Sequence, residues 1–344
     1  MMKKVFITGG AGYIGSVMIG AMLENEYEVI VLDRMFFGKR PVLKYLDHPK
    51  VRFYKDDVRY FDKALLKGVD VVIDLAGISN DPASEINPQA TININQKGSI
   101  RVAKVSKEMG VHQYILASSC SIYGEGDDNL LSEESKKNPV SLYARSKIKA
   151  EEAIKPLADD NFCVTFLRNG TVYGYSTRMR FDLVVNTMTW KAWQNGKIHI
   201  MGGGQQWRPL VHVKDVVDAF LLVMQTQNLS IINGQAFNVG SNDQNYQIWQ
   251  IANMVKNAIP NTELEFFPSD PDRRDYRVCC DKITNVLGFK TKKTVTDGII
   301  EILDGLKSGY IDAMDPSNIT VKYYKYLLEA EKALREIKYK GKIF

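Results

Sequence analysis

Three side chains able to move a proton and steady an alcohol sit in two short stretches of the chain. In "HQYILASSCSIYG", residues 112–124, an apolar run from Tyr114 to Ala117 stops at Ser118, Ser119, Cys120 and Ser121. In "SLYARSK", Tyr143 and Lys147 stand four residues apart, which on a helix puts them on one face. Serines at a strand end also simply turn the chain, and a lone Tyr–Lys pair is ordinary helix surface. Together the three fit the oxidation of an alcohol. A phenol titrates near ~10, too high for a base at neutral pH; an ammonium and a second cation beside it bring it down, at about 1.4 kcal/mol per unit. Tyr143 then takes the hydroxyl proton while hydride leaves the carbon, and Ser119 hydrogen-bonds the same oxygen as charge shifts onto it.

A second motif says where the hydride goes. "VFITGGAGYIG" sets Gly9, Gly12 and Gly15 between a strand and a helix, and Asp33 closes the next strand eighteen positions past Gly15. Gly9 permits a tight turn, Gly12 lets backbone approach a pyrophosphate, and Gly15 packs helix on sheet. The helix amino end, at Tyr13 and Ile14, faces the phosphates with its partial positive charge. Asp33 takes the adenosine ribose hydroxyls and repels a 2′-phosphate, favouring NAD; Arg34 beside it can accept that phosphate and leaves NADP open. A cationic nicotinamide ring supplies the second charge that Tyr143 needs.

The elements that position these groups alternate. "KVFIT", a helix over 13–24, "EVIVLD", "VRFY", "VDVVIDLA", a helix over 98–109, "YILAS", a helix from Leu142 and "CVTFLR" follow one another. Strands alternating with helices mean βαβ units and a parallel sheet. The expected class is α/β, a doubly wound Rossmann-type sheet with a smaller α/β lobe. Residues 1–170, with 208–240 returning, form the dinucleotide-binding part; 171–207 and 241–344 form the substrate-binding lobe. A last helix, over 321–337, carries Tyr324, Leu327, Leu328 and Leu334 and packs on the lobe or on a partner.

Bulk properties narrow the class. The 344 residues, 45% hydrophobic and 25% charged, are those of a globular protein rather than a disordered or fibrous one. Residues 320–344 hold seven Lys and Arg against three Glu, so most of the net +5 lies in the tail. The remainder is too near neutral for a nucleic-acid footprint. Cys120, Cys163, Cys279 and Cys280 show neither metal-ligand spacing nor a disulfide framework, so no metal is expected. An opening apolar run broken at Gly9, and no span of membrane length, lead us to expect a cytoplasmic protein.

Over essentially its whole length the chain resembles the extended short-chain dehydrogenase/reductase superfamily, in its nucleotide-sugar epimerase/dehydratase branch. "TGGAGYIG", "LAGIS", "SSCSIYG", "YARSK", "RNGTVYG", "RPLVHVKDV" and "NVGS" carry the resemblance in the family's order. It implies adenine contacts at Asp57 and Val58, a cleft lined by Leu75, Ala76 and Gly77, and Asn95 bracing the sheet near the site. It implies that Arg208 and Arg274 hold a substrate diphosphate, a geometry suited to guanidinium. Ser79, Ser121 and Thr171 join them as substrate contacts, Thr171 where many epimerases have Asn. Tyr175 replaces the usual Pro after "YG". Cys120 and Ser121 stand where the 4,6-dehydratases carry an Asp–Glu pair, which disfavours dehydration. Cys120 is offset by one residue from the catalytic Cys of the 3,5-epimerases, so it faces the other way and reads as a buried structural thiol. "STRMRFDLVVN" is similar to a subgroup of surface-polysaccharide enzymes that includes a GDP-heptose 4-dehydrogenase, and through it Arg180 and Asn186 become sugar or phosphate contacts.

The expected activity is NAD-dependent oxidation of the C4 hydroxyl of a nucleotide-activated sugar, as an epimerase or a dehydrogenase in surface-polysaccharide precursor synthesis. A 4-ketosugar reductase, a C3/C5 epimerase using Cys120, and a non-catalytic dinucleotide sensor are the alternatives. The resemblance also implies a homodimer paired through the helices at 98–109 and 142–155.

Overall fold

The computed structural model describes residues 3–270 and 272–343, without the side chains of 127–129. The apolar runs form strands, buried on both faces as parallel strands require except at the half-exposed edge strand β3: β1 (Lys4–Thr8), β2 (Glu28–Asp33), β3 (Val51–Lys55), β4 (Val71–Asp74), β5 (Gln113–Ser119), β6 (Cys163–Asn169) and β7 (Gln235–Val239). They hydrogen-bond in the order β7-β6-β5-β4-β1-β2-β3, every pair parallel.

Alternation along each strand divides the core between the two faces. Val5, Ile7, Val29 and Val31 pack with Met18, Ile19 and Met22 of helix α1 (Tyr13–Glu24), and with Phe220 and Val223 of a later helix over Val213–Gln225. Phe6, Ile30, Leu32, Tyr114 and Leu116 pack on the other face with Val102 and Ala103 of α2 (Ser99–Glu108) and Ala150 and Ile154 of α3 (Leu142–Ile154). Because all seven strands are parallel, Thr8, Asp33, Asp74, Ser119 and Asn169 come out on one edge. The order reverses between β1 and β4, and there the edge opens as a crevice.

Beyond Arg168 the chain is more regular than its sequence suggests. Gly170 breaks away from β6, and Thr171–Tyr173 joins Trp207–His212 and Asn245–Gln247 in a separate three-stranded sheet. The segment expected to return to the main sheet, 208–240, therefore divides: its strand belongs to the small sheet, while the Val213–Gln225 helix and β7 rejoin the large one. A second core, with Tyr173, Val185, Leu210, Ile251, Val255 and Ile299, holds this lobe together. The last helix, Thr320–Ile337, is buried only at Thr320. It lays Tyr323 and Tyr324 on Phe36 and Phe37, just past β2, with ring centroids 5.7–6.0 Å apart. Leu328 stays exposed.

Candidate active site

One cleft runs along the carboxyl edge of the large sheet, with about 1570 Å³ of atom-free space including its open mouth. Gly9, Gly12, Tyr13, Ile14, Gly15, Asp33, Arg34, Asp57, Val58, Leu75, Ala76 and Gly77 all line it. The glycine turn is a cradle that side chains would fill. A Cβ on Gly15 would stand 2.3 Å from the Gly9 carbonyl oxygen, and one on Gly9, whose φ is +69°, 2.9 Å from the Ala76 nitrogen. Helix α1 opens at Gly12 with no side-chain cap, so its first amides are left for an anion. Asp33 accepts from the amides of Ala11 at 2.9 Å and Met35 at 2.7 Å; burial pushes its carboxyl up and these bonds hold it back. Arg34 lies against Asp57 at 3.3 Å rather than reaching across Asp33. These features fit a dinucleotide with free ribose hydroxyls.

Asn95 does not line this cleft. It is fully buried in a wide π-helical turn over Ile92–Gly98, accepting from the Ile78 amide at 2.7 Å and donating to the Ile78 carbonyl at 3.0 Å. It braces the loop after β4 rather than the sheet.

Deeper in the crevice Ser119, at the end of β5, lies beside the phenol of Tyr143 on the first turn of α3, where its hydroxyl favours the phenolate. Ser141 starts that helix by capping the Ala144 amide. Lys147, one turn on, donates 2.7 Å to the Ala117 carbonyl, with its ammonium 5.9 Å from the centre of the Tyr143 ring. Burial lowers Lys147 while Asp74 and Glu151 work against that shift. Burial first, and the Asp81 carboxylate second, push Tyr143 up to about 12, against the Ser119 hydroxyl and the charges of Arg180 and Arg274. The lysine alone does not bring the phenol down.

At the far end, Ser79, Ser121, Thr171, Arg180 and Arg274 line the cleft. The arginines are already engaged. Arg180 forks onto Asp182 at 3.1 and 2.8 Å and reaches Ser79 at 3.2 Å. Arg274 pairs with Asp81 at 2.7 Å and Asp272 at 2.5 Å. Arg208 lies behind, bonded to Asp272 at 3.0 Å and to the Arg274 carbonyl, outside the cleft lining. Asn186 is also outside it: fully buried, it accepts from the Gly174 amide and donates to Tyr13 Oη and the Arg180 carbonyl, pinning the 174–180 loop over the start of α1. Two buried polar atoms of cleft-lining residues have no partner among the described residues, Ser121 Oγ and Asn169 Oδ1. Cys120 is fully buried, donates 3.0 Å to the Arg168 carbonyl, is pushed well above its usual range by burial, and does not line the cleft.

Sequence reasoning missed Asp81, Asn169, Arg178, Tyr276, Phe36, Phe37 and Tyr324, all of which line the cleft. Arg178 and Arg180 flank one methionine, and that doublet was a usable signal. Tyr324 arrives from a helix nearly three hundred residues past Asp33 and carried none.

The model of the NAD-dependent epimerase/dehydratase family matches residues 5–240. A putative UDP-glucose 4-epimerase of Methanocaldococcus jannaschii is 28% identical over 312 residues, covering 88% of this chain and 98% of that one. A UDP-glucuronic acid decarboxylase of Xenopus tropicalis is 28% identical over 283 residues, covering 79% of this chain and 65% of the frog protein. Among solved structures, the Thermotoga maritima UDP-glucose 4-epimerase with UDP-glucose superposes with a TM-score of 0.78 at 25% identity, over 90% of this chain and all of that one. The Bacillus cereus UDP-glucuronic acid 4-epimerase, in complex with UDP-glucuronic acid and NAD, gives 0.80 at 24% over 89% of this chain and all of that one. With most of its length matched by the family model, the cradle and the Ser–Tyr–Lys cluster belong to a member of the NAD-dependent epimerase/dehydratase family.

Proposed function

We propose that this chain oxidises the C4 hydroxyl of a nucleotide-diphosphate sugar with NAD, as a C4 epimerase or C4 dehydrogenase serving surface-polysaccharide synthesis. The observation that carries the reading is the convergence of Ser119, Tyr143 and Lys147 at the end of the dinucleotide cradle. It is supported by relatives whose names include UDP-glucose 4-epimerase and UDP-glucuronic acid decarboxylase.

NAD, held by the glycine turn and Asp33, supplies the acceptor for hydride and a cationic ring beside the phenol. Tyr143 Oη takes the proton of the C4 hydroxyl, and Ser119 Oγ donates to the same oxygen as it gains carbonyl character. Lys147, fixed on the Ala117 carbonyl, holds positive charge near the phenol and limits the rotation of its own helix face. Ser121 Oγ and Asn169 Oδ1 are unpaired and suit sugar hydroxyls, while Arg274 is the guanidinium best placed for the substrate diphosphate. Burial of Cys120 leaves the C3/C5 alternative without its thiol. Pairing through α2 and α3 as a homodimer is part of this proposal, by family likeness.

The test is a first-turnover measurement. Purified protein with NAD is mixed with UDP-, GDP- and dTDP-hexoses and followed by NADH absorbance and by mass spectrometry of the sugar. Wild type is expected to form NADH or the C4 epimer with at least one sugar, and Tyr143→Phe to lose this while still binding NAD. Full activity in Tyr143→Phe would overturn the assignment. An inverted sugar with no net NADH identifies an epimerase; a released ketosugar identifies a dehydrogenase.

A further inference from the structure

Arg178 is a buried charged group in the cleft that the proposed reaction does not use. It is only 4% exposed, and among the described residues it makes no ion pair. Nη1 donates to the Met179 carbonyl at 3.2 Å and Nη2 to Thr320 Oγ1 at 3.0 Å, while Nε is buried with no partner. The guanidinium carbon stands over the Phe37 ring, 3.7 Å from its centroid. A buried cation with an unspent N–H is expensive unless an anion arrives.

The surroundings say which part of the cleft it serves. Its loop rests on the amino end of α1: Ser176 Oγ donates to the Tyr13 carbonyl at 2.8 Å, and Tyr13 Oη donates to the Gly174 carbonyl at 2.6 Å. Phe36 and Phe37 stand three and four residues past Asp33, and they and Tyr324 line the same cleft. The segment before the last helix is tied on both sides. Arg40 pairs with Asp312 at 3.3 Å and Asp315 at 3.2 Å, and the Phe181 amide donates to the Asn318 carbonyl at 2.7 Å. Residues 312–324 thus span from the loop after β2 to the 174–181 loop.

We propose that this span is a strap over a bound dinucleotide, with Arg178 Nε–H a ligand of its diphosphate, so that the cofactor stays on the protein between turnovers. The inference rests on the NAD-dependent reading above and adds to it the residues that govern release. A charge-assisted bond that only the seated diphosphate completes slows departure more than arrival, and the aromatic cover of Phe37 and Tyr324 must move before the adenosine can leave.

The experiment measures NAD release from the loaded full-length protein by rapid gel filtration and mass spectrometry of the retained nucleotide. It compares wild type, Arg178→Gln, Thr320→Val and the exposed-face control Tyr326→Ala, each with its melting temperature without cofactor. UDP affinity is measured alongside, because a sugar nucleotide also carries a diphosphate. Arg178→Gln is expected to speed NAD release about ten- to hundredfold. Thr320→Val, which frees the guanidinium from the helix, is expected to speed it severalfold. Tyr326→Ala and all UDP affinities should match wild type. NAD release at the wild-type rate in Arg178→Gln, or in Thr320→Val if the arginine variant fails to fold, overturns the strap. Weakened UDP binding with unchanged NAD release overturns it too and assigns Arg178 to the sugar nucleotide. Wild type that never retains or binds NAD refutes the underlying functional reading instead.

Discussion

Asp81→Asn separates the charges that set the phenol from the contacts that hold it. Asp81 is the carboxylate that opposes ionisation of Tyr143, and it is held by Arg274 at 2.7 Å and by the Ser141 hydroxyl. Two unit charges several ångströms apart in an effective dielectric of about 20 interact by about 2 kcal/mol. The guanidinium paired with Asp81 cancels roughly half of that, leaving about 1 kcal/mol, or about 0.7 of a pH unit. The sign is fixed: removing a negative charge favours phenolate and lowers the Tyr143 value. On the rising limb of the pH profile, where rate is proportional to phenolate, the first-turnover rate should increase about fivefold, with the limb moved about 0.7 unit to lower pH. The assay is stopped-flow NADH formation across pH with saturating NAD. Asp272→Asn is the control, since Asp272 shares Arg274 with Asp81 at 2.5 Å. A limb that stays in place or moves upward in Asp81→Asn refutes the electrostatic account. The same shift in Asp272→Asn would move the effect from Asp81 to Arg274.

Gly15→Ala should cost NAD affinity on the order of a hundredfold, because its Cβ, 2.3 Å from the Gly9 carbonyl and 2.6 Å from the Gly10 Cα, forces the cradle open; calorimetric titration with NAD checks it, with circular dichroism as the folding control. Arg168→Met should destabilise the fold by about 2–4 kcal/mol at neutral pH, since it leaves Glu151, whose oxygens Arg168 holds at 3.1 and 2.7 Å with both side chains about 5% exposed, with only Ser118 and the more distant Lys137, at 3.5 Å, as partners. In wild type, burial would raise Glu151 but Arg168 and Ser118 hold it below its usual value, so its contribution is present above the unfolded-state value of about 4.5 and lost below it. The loss in Arg168→Met should therefore be largest near neutral pH and shrink as acid protonates the Glu151 carboxyl, which urea melts at two pH values will read.

What the sequence disclosed and what it hid divide along a physical line. Strands β1 to β6 were legible because a parallel strand is apolar on both faces, and such a run needs no partner to be recognised. Helix α1 was legible to the residue, since Gly12 and Asn25 bracket one predominantly apolar helical stretch. Gly9, Gly15 and Asp33 were legible as cleft residues because a glycine turn after one strand and an acid closing the next restrict residue type at fixed spacing. Ser119, Tyr143 and Lys147 come together because β5 and α3 are neighbours both in sequence and in the sheet.

Arg208 and Asn186 mark where that legibility ends. Both are polar residues in motif-bearing stretches, yet one is spent on Asp272 and a carbonyl, and the other on pinning a loop over α1. Whether a polar side chain faces a ligand or a neighbour is decided by pairing across long sequence distances, which no local pattern carries. The Tyr143 phenol makes the same point energetically. Its rise to about 12 follows from burial and from Asp81, which enters from a short helix sixty residues upstream capped by Asn80. The sequence displayed the lysine beside the tyrosine, but the carboxylate opposing it appears only once the chain is folded. In the proposed reaction Tyr143 is thus a reluctant base, and a cationic cofactor ring would supply the charge that favours proton transfer. Retention of that cofactor then bears on the chemistry as well as on its economy: a strap that keeps the dinucleotide seated also keeps Tyr143 ready, and a protein that let it go after each turnover would lose both together.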